Sequence, residues 1–479
     1  MAVLSQQIVK ETEASRAAQS REAARVWMVR IIFMLYWLLI FTGALRKWGI
    51  PQLQKPLFFI AVPFTLWLYG ISLIKNRWPR EAILLNYAYY LAWSALLLIP
   101  VQMIIGNYAL RYIIIAGYGW LNYFFYIPLA FIIANEFDQD DVRRLLRQTL
   151  WIGIFSAPLV AFQFISSPNS VINSGDATNQ ANQFHQLASA LGHIRPAGLF
   201  TSSLGLGLFL TTLTISVIYG WIVSSKNSIS HRITLTLATI SLISMLAFSG
   251  NRGAFAMCGL VVLTTAIAGI ITRRKYLVMR AGLFPLIVIS LAVVLWPIVL
   301  PSSYQTFIVR WDQAAQSSNF ALGPFGRELY GLYGFVYYLN TPVTGYIIGI
   351  ATNAAARLSW VHMPAAAFKW TGYGIWARES NFSANIVDLG LILGMGYIVL
   401  RLFIFVSLLV KVWKSTKIKR DPLALMLFSF AGYLIFMGQI TVQGTVNGYT
   451  WIFLGVTLAA SKFATTNRDG MVTFARSER

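Results

Sequence analysis

Apolar runs of about 20 residues recur from one end of this chain to the other, and no other feature limits its fold so tightly. A run of that length crosses the hydrocarbon of a bilayer as a helix, which is the one open-ended element that bonds all of its own backbone N–H and C=O groups. The charged residues point the same way. They make up 11% of 479 residues, where a soluble protein carries roughly a quarter. The mean hydropathy is +0.63. The chain reads as an all-α, polytopic membrane protein with about twelve transmembrane helices. The spans are expected at 27–45, 56–74, 82–104, 112–134, 149–167, 198–223, 233–250, 253–272, 281–301, 384–410, 423–441 and 448–465.

The basic residues orient those spans. A formal charge of +22 raises the question of nucleic acid, but Lys and Arg are spread between the apolar runs rather than gathered into a stripe with exposed aromatics. No nucleic-acid partner is expected. With the N-terminus inside, the inward loops are KNRWPR (75–80), VRRLLR (142–147), KNSISHR (226–232), RRKYLVMR (273–280) and KVWKSTKIKR (411–420). Together with the two ends they hold 26 of the 38 Lys and Arg; the outward segments hold 11, and Arg401 lies within a span. Cytoplasmic loops collect such residues, so both termini are expected inside. The organisation is then a cytoplasmic tail at 1–26, a transmembrane domain at 27–465 and a cytoplasmic tail at 466–479, with no internal repeat and no linker to a second domain.

Two outward segments are long. The first, 168–196, is rich in Asn, Ser and Gln; the second, 302–383, lies between spans 9 and 10. A loop as long as the second usually carries function. Within it, GRELYGLYGFVYYL (326–339) has apolar residues at helical spacing and is expected to lie in the membrane interface.

Several chemistries are excluded. There is no P-loop, no Gly-rich dinucleotide turn and no HExxH, and the four histidines lack metal-ligand spacing. The single cysteine, Cys258, permits neither an intrachain disulfide nor a cysteine-based metal site. A D-x-D pair at Asp138 and Asp140 has the form of a divalent-metal site, but it opens a helix on the inward side, where acids simply complement the helix dipole.

The outward arginines carry more information. Arg195 stands in HIRPAGLF directly before a span, and Arg252 stands in FSGNRGAF between two spans. Both lie on the side that the charge bias depletes, beside glycines that let backbone approach a ligand. A guanidinium fork gives diphosphate paired, charge-assisted hydrogen bonds and never deprotonates. The alternative is snorkelling to lipid headgroups or pairing with an acid. A third group lies in WARESNFSANIVDLGLILGMGYIVLR (376–401), with Arg378 and Glu379 before a span and Asp388 inside it. Glu379, Ser383 and Asn385 are expected on one face, where Glu379 would serve as a general base. An acid within a span, such as Asp388, is a functional candidate by default; a surface Arg–Glu pair with a buried, hydrogen-bonded Asp388 is the competing reading.

Four of these stretches, RPAGLFTSSLGLGLFL, FSGNRGAF, PVTGYIIGIATN (342–353) and ESNFSANIVDLGLILGMGYIVL, resemble in order and sidedness the O-antigen ligase and O-antigen polymerase superfamily over about residues 135–410. The resemblance implies an enzyme of the bacterial cytoplasmic (inner) membrane. Such an enzyme takes a glycan from undecaprenyl diphosphate at the periplasmic face and passes it to a hydroxyl of a saccharide acceptor, with no metal, cofactor or nucleotide sugar. The loop 302–383 would be periplasmic. Arg195 and Arg252 would hold the lipid-linked diphosphate, with Arg378 and Arg327 of the same loop beside them, and Glu379 and Asp388 would be catalytic. The ligases begin the loop-closing element with His-Asn, whereas this chain has Glu379-Ser380-Asn381, and Asn251 stands where the ligases have serine or a small residue. The reaction class is therefore carried over and the acceptor is not. A transporter or flippase of lipid-linked saccharide, or a non-catalytic assembly subunit, are the competing classes; paired inverted repeats would favour transport, and none is visible.

Overall fold

A computed structural model describes residues 2–79, 83–173, 190–223, 229–273, 291, 294–316, 330, 332–351, 380–441 and 444–462, with side chains described from residue 19 onward except for residues 55, 314 and 315. Among these residues the protein is helical, with no strand. Eight helices are long and apolar enough to cross a membrane, and Ala61–Ile74 and Leu423–Met437 are shorter apolar helices. The expected span 281–301 falls mostly outside the described residues. Eight, not twelve, is thus the number of full-length candidates that the described residues contain.

The first helix, α1, runs Ala2–Ala44 without a break, so the expected tail at 1–26 continues directly into the first span. It ends in a π-helical turn, Leu45–Gly49. Next come α2 (Ala61–Ile74) and α3 (Ile83–Ile105). The span expected at 112–134 is two helices, α4 (Ile113–Trp120) and α5 (Ile127–Glu136), joined by a second π stretch, Leu121–Phe125. Then α6 covers Gln139–Ile165, starting ten residues before the expected span. Asp138 caps it through a reciprocal box: its side chain accepts from Asp141 N at 2.9 Å, while the Asp141 carboxylate accepts from Asp138 N at 3.2 Å. Such a box satisfies two otherwise orphaned amides and fixes where the helix begins.

Helices α7 (Ser203–Val223), α8 (Ile229–Ser249) and α9 (Arg252–Ile271) follow, then α10 (Pro301–Ala315). Of the expected interfacial helix at 326–339, the described residues 330 and 332–333 are helical and run on into a short 3-10 segment, Gly334–Tyr338. The chain closes with α11 (Asn381–Lys419), α12 (Leu423–Met437) and α13 (Gly444–Lys462). Helix α7 and helix α13 lie at the centre; nearly every residue of Gly205–Tyr219 and of Val446–Ala460 is buried.

Helix α11 is not continuous. Gly390 (φ +78°) interrupts it, and a Cβ there would run into the carbonyl of Val343. A break in an apolar helix frees backbone groups that hydrocarbon cannot satisfy. Part of the long loop supplies the partners. Residues 342–351, expected outside the bundle, insert into it: Ile347 and Ile348 are fully buried, and Tyr346 N donates to Val387 O at 3.0 Å. Gly349 (φ +94°) lies directly on Gly119 and Ile115 of α4, an approach that leaves no room for a side chain on either glycine.

The contacts sort the chain ends of these helices into two groups. At one end Arg25 bonds to Asp138, Asp141 and Glu136 O, Arg77 pairs with Glu136, and Lys462 reaches Asn135. At the other, Ala44 N donates to Leu199 O, Asn251 reaches Ser203, and Arg310 reaches Gly250.

Candidate functional site

The RPAGLFTSS stretch is the centre of the second end. Residues 195–202 run as coil between α6 and α7, half of them buried and the rest half-buried, so their buried backbone groups need partners inside the protein. Gln163 of α6, itself 1% exposed, satisfies Gly198 completely: its Oε1 accepts from Gly198 N at 2.7 Å and its Nε2 donates to Gly198 O at 3.3 Å. Gly198 has φ +61°, a conformation that favours glycine. Leu199 O accepts from Ala44 N at 2.8 Å, and Phe200 O accepts from Lys47 Nζ at 2.8 Å. Gly43 of α1 packs against this backbone so closely that a Cβ could not be added. The stretch is thus a fixed strap, and Arg195 is its half-buried first residue.

FSGNRGAF forms the turn between α8 and α9. Gly250 (φ +53°) reverses the chain, and Asn251 caps α9 by accepting from Ala254 N at 3.4 Å. Asn251 is therefore where it is for capping, a role serine fills equally well. Arg252 is the first residue of α9, at the positive end of the helix dipole. Helix α10 lies across the turn. Arg310 Nη1 donates to Gly250 O at 2.6 Å, Ser303 Oγ donates to Ala247 O at 2.6 Å, and the Trp311 ring lies 5.4 Å from the Arg252 guanidinium carbon.

These two arginine-bearing segments adjoin. Asn251 Nδ2 donates to Ser203 O at 3.4 Å, at the start of α7. Phe164 bridges them on another side, stacking on His193 at 4.4 Å between centroids and touching Phe248 at 5.2 Å. Two further cations lie at this end, Arg46 (7% exposed) and Lys47 (9%). Arg46 donates to Gln54 O at 3.2 Å and covers the Phe58 ring. These contacts fix where the two cations point. Nothing in the sequence pattern singled out Arg46, Lys47 or Arg310. The available signal was ALRKWG, two adjacent cations at the end of the first span.

Asp388 sits elsewhere and is fully buried. Its Oδ1 accepts from Ala351 N at 2.8 Å and its Oδ2 from Tyr123 OH at 3.0 Å, while Gln102 Nε2 donates to its backbone carbonyl at 2.8 Å. Gln102 also receives Ile348 N at 3.0 Å and donates to Thr344 O at 2.6 Å. This carboxylate holds the inserted loop against the helix break, with both oxygens occupied; its geometry is that of a clamp rather than of an acid facing substrate. Ser383 and Asn385 are fully buried. Every residue from Ser380 to Gly390 is buried, because protein surrounds this half-helix on all sides. Glu379, Arg378 and Arg327 lie outside the described residues.

Arg401, within α11, is fully buried and bonded to Asn381 and to the carbonyls of Ile435 (2.8 Å) and Gly438 (2.9 Å) at the C-terminal end of α12. That end is the negative pole of a helix, which accounts for a cation at this depth. Of the D-x-D pair, Asp138 is a helix cap held by Arg25 and Asp140 is an exposed side chain 3.7 Å from Arg143, and no cluster of metal-binding side chains occurs among the described residues. Comparison of the chain with models of known protein families and with curated proteins finds no match.

Proposed function

We propose that this protein is a membrane glycosyltransferase that polymerises or transfers undecaprenyl-diphosphate-linked glycan during synthesis of a surface polysaccharide, in the manner of the O-antigen ligase and polymerase superfamily. One observation carries the reading: Arg195 and Arg252, 57 residues apart in the chain, occupy adjoining segments at one end of the bundle, with Arg310 and Lys47 beside them. In this reading both termini are cytoplasmic, the spans number twelve and the arginine-bearing end lies at the periplasmic face of the inner membrane, an orientation that rests on the charge bias.

The chemistry follows from the leaving group. A diphosphate leaves readily once its charge is stabilised, and positioned guanidinium groups supply that stabilisation at the point where charge develops. Arg195 and Arg252 would grip the diphosphate oxygens. The acceptor hydroxyl attacks the anomeric carbon from the opposite side, the bond from that carbon to the diphosphate oxygen breaks, and Glu379 takes the hydroxyl proton. Asp388 would support this centre from behind by fixing the inserted loop.

The test is reconstitution with undecaprenyl-diphosphate oligosaccharide. Wild-type protein is expected to release undecaprenyl diphosphate together with lengthened or transferred glycan. Arg252→Ala and Arg195→Ala should abolish that release at unchanged protein level, and normal turnover in both would remove the diphosphate role. Glu379→Gln should cripple transfer; full activity would leave Glu379 as a structural ion pair.

A further inference from the structure

The two π-helical stretches of the described chain, Leu45–Gly49 and Leu121–Phe125, face the same cavity. π-Stretches interrupt regular helix hydrogen bonding and recur at functional sites. The cavity, of about 120 Å³, lies between α1, α2, the α4–α5 junction and the start of α13, beneath Thr201 at the end of the strap. For scale, an apolar cavity of about 150 Å³ takes up a benzene. Its lining combines three kinds of surface. Arg46 brings a buried guanidinium. Tyr118 (7% exposed) and Asn122 (3%) bring polar groups, and here the Tyr118 hydroxyl and Asn122 Nδ2 are buried without any hydrogen bond. Leu39, Phe58 and Phe59 bring an apolar wall.

Buried donors left unbonded cost about 1–3 kcal/mol each, so a site that keeps two of them beside a cation is built for something that bonds them. The Asn122 amide nitrogen and the guanidinium can only donate, so the complement is an anionic group rich in acceptor oxygens. The adjoining wall of Leu39, Phe58 and Phe59 suits hydrocarbon. We propose that this cavity binds the phosphate ester end of a membrane lipid, with the phosphate oxygens on Arg46, Asn122 and Tyr118 and the first carbons of the chain along Phe58, Phe59 and Leu39. The assignment stands on this cavity alone and does not depend on glycan transfer.

Full-length protein in nanodiscs of phosphatidylcholine would be titrated with farnesyl phosphate, farnesol, inorganic phosphate and short-chain phosphatidylglycerol. Saturable binding of farnesyl phosphate or phosphatidylglycerol is expected, and the stronger of the two identifies the chain as isoprenoid or diacyl. Arg46→Gln should weaken it about tenfold or more and Tyr118→Phe about fivefold, in line with the strength of hydrogen bonds to charged groups. Tyr118→Phe removes a single oxygen and keeps the ring; with an unchanged melting temperature it decides the matter even where Arg46→Gln is unstable. Farnesol binding as tightly as farnesyl phosphate, inorganic phosphate binding as tightly as either lipid, or affinity indifferent to Tyr118→Phe would each overturn the proposal.

Discussion

Arg77 and Arg252 are both half-buried arginines beside the ends of apolar helices, and the contacts described for them differ. Arg77 meets Glu136, 2% exposed, through two parallel contacts, Nε to Oε1 at 2.8 Å and Nη2 to Oε2 at 2.7 Å. Arg25 likewise engages Asp138 and Asp141. At the opposite end the described contacts of the cations are with carbonyls and rings: Trp311 under Arg252, Gly250 O on Arg310, Phe200 O on Lys47, Phe58 under Arg46. A carboxylate both orients and neutralises an arginine, whereas a carbonyl or ring only orients it. Acid partners tie the cations of the first end into assembly, and the carbonyl and ring contacts of the second fix where its cations point.

That contrast can be broken most sharply by removing one arginine from each end. Arg252→Ala is expected to lower transfer of lipid-linked glycan about a hundredfold or more, the loss of close to 3 kcal/mol of stabilisation of a developing charge. The melting temperature should barely move. Arg252→Lys should recover only part of the activity, since an ammonium lacks the planar fork. Arg77→Ala should do the reverse, costing about 3 kcal/mol of stability by stranding a buried carboxylate while the folded fraction keeps its turnover. If the two variants shared one phenotype, either way round, the division of labour between the ends would be lost.

The next effect concerns Asp388. As a clamp, Asp388→Ala leaves the Ala351 amide buried and unbonded and the Tyr123 hydroxyl with only the Ala384 carbonyl at 3.3 Å, at a cost of about 2–4 kcal/mol. Tyr123→Phe should cost less, about 1 kcal/mol. Thermal denaturation of the purified variants checks both, and activity should fall in step with stability. An Asp388→Asn variant of wild-type stability with no turnover would instead restore it to the reacting centre.

How much of this was legible beforehand depends on the kind of residue. Runs such as 203–223 and 229–249 declare themselves, because length and apolarity are properties of a single segment. The facing of Arg195 and Arg252 was also readable, since topology alone sends both to one end. The break at Gly390 was not: it exists because residues 342–351 insert beside it, a long-range contact that no local pattern encodes. Asp388 was rightly singled out as an unusual acid, but its partners Tyr123 and Ala351 are 265 and 37 residues away. Gln163 and Gln102 passed unnoticed as single amides in apolar helices, although a polar side chain inside a span is the mark of backbone in need of a partner. Arg46 was hidden by its position beside a span, where a cation normally needs no explanation.

The Asp138 cap offers a smaller test. Asp138→Ala removes one half of the capping box and an Arg25 contact and should cost about 1 kcal/mol. Transfer activity measured with and without a chelator should be equal in wild type and variant alike. Chelator sensitivity abolished by Asp138→Ala would turn the cap into a metal site and give the first end a chemical role.

The finest distinction lies in Asn251, which does two things at the turn: its Oδ1 caps α9 and its Nδ2 reaches Ser203 at the start of α7. Asn251→Ser keeps the cap and drops the tether, because a hydroxyl caps as well as an amide but is too short to span both contacts. The tether is long, at 3.4 Å, so its loss should change stability by only a few tenths of a kcal/mol. Its geometric effect should be larger than its energetic one. Releasing Ser203 lets the strap that carries Arg195 move relative to the helix that begins at Arg252, and two groups gripping one diphosphate tolerate little misplacement. A twofold to fivefold fall in turnover, roughly the scale expected of slight misplacement, with stability intact would show that the two arginines act as a pair. Unchanged turnover would mean that each binds on its own, and the strap would then be a structural tie between α1 and α6.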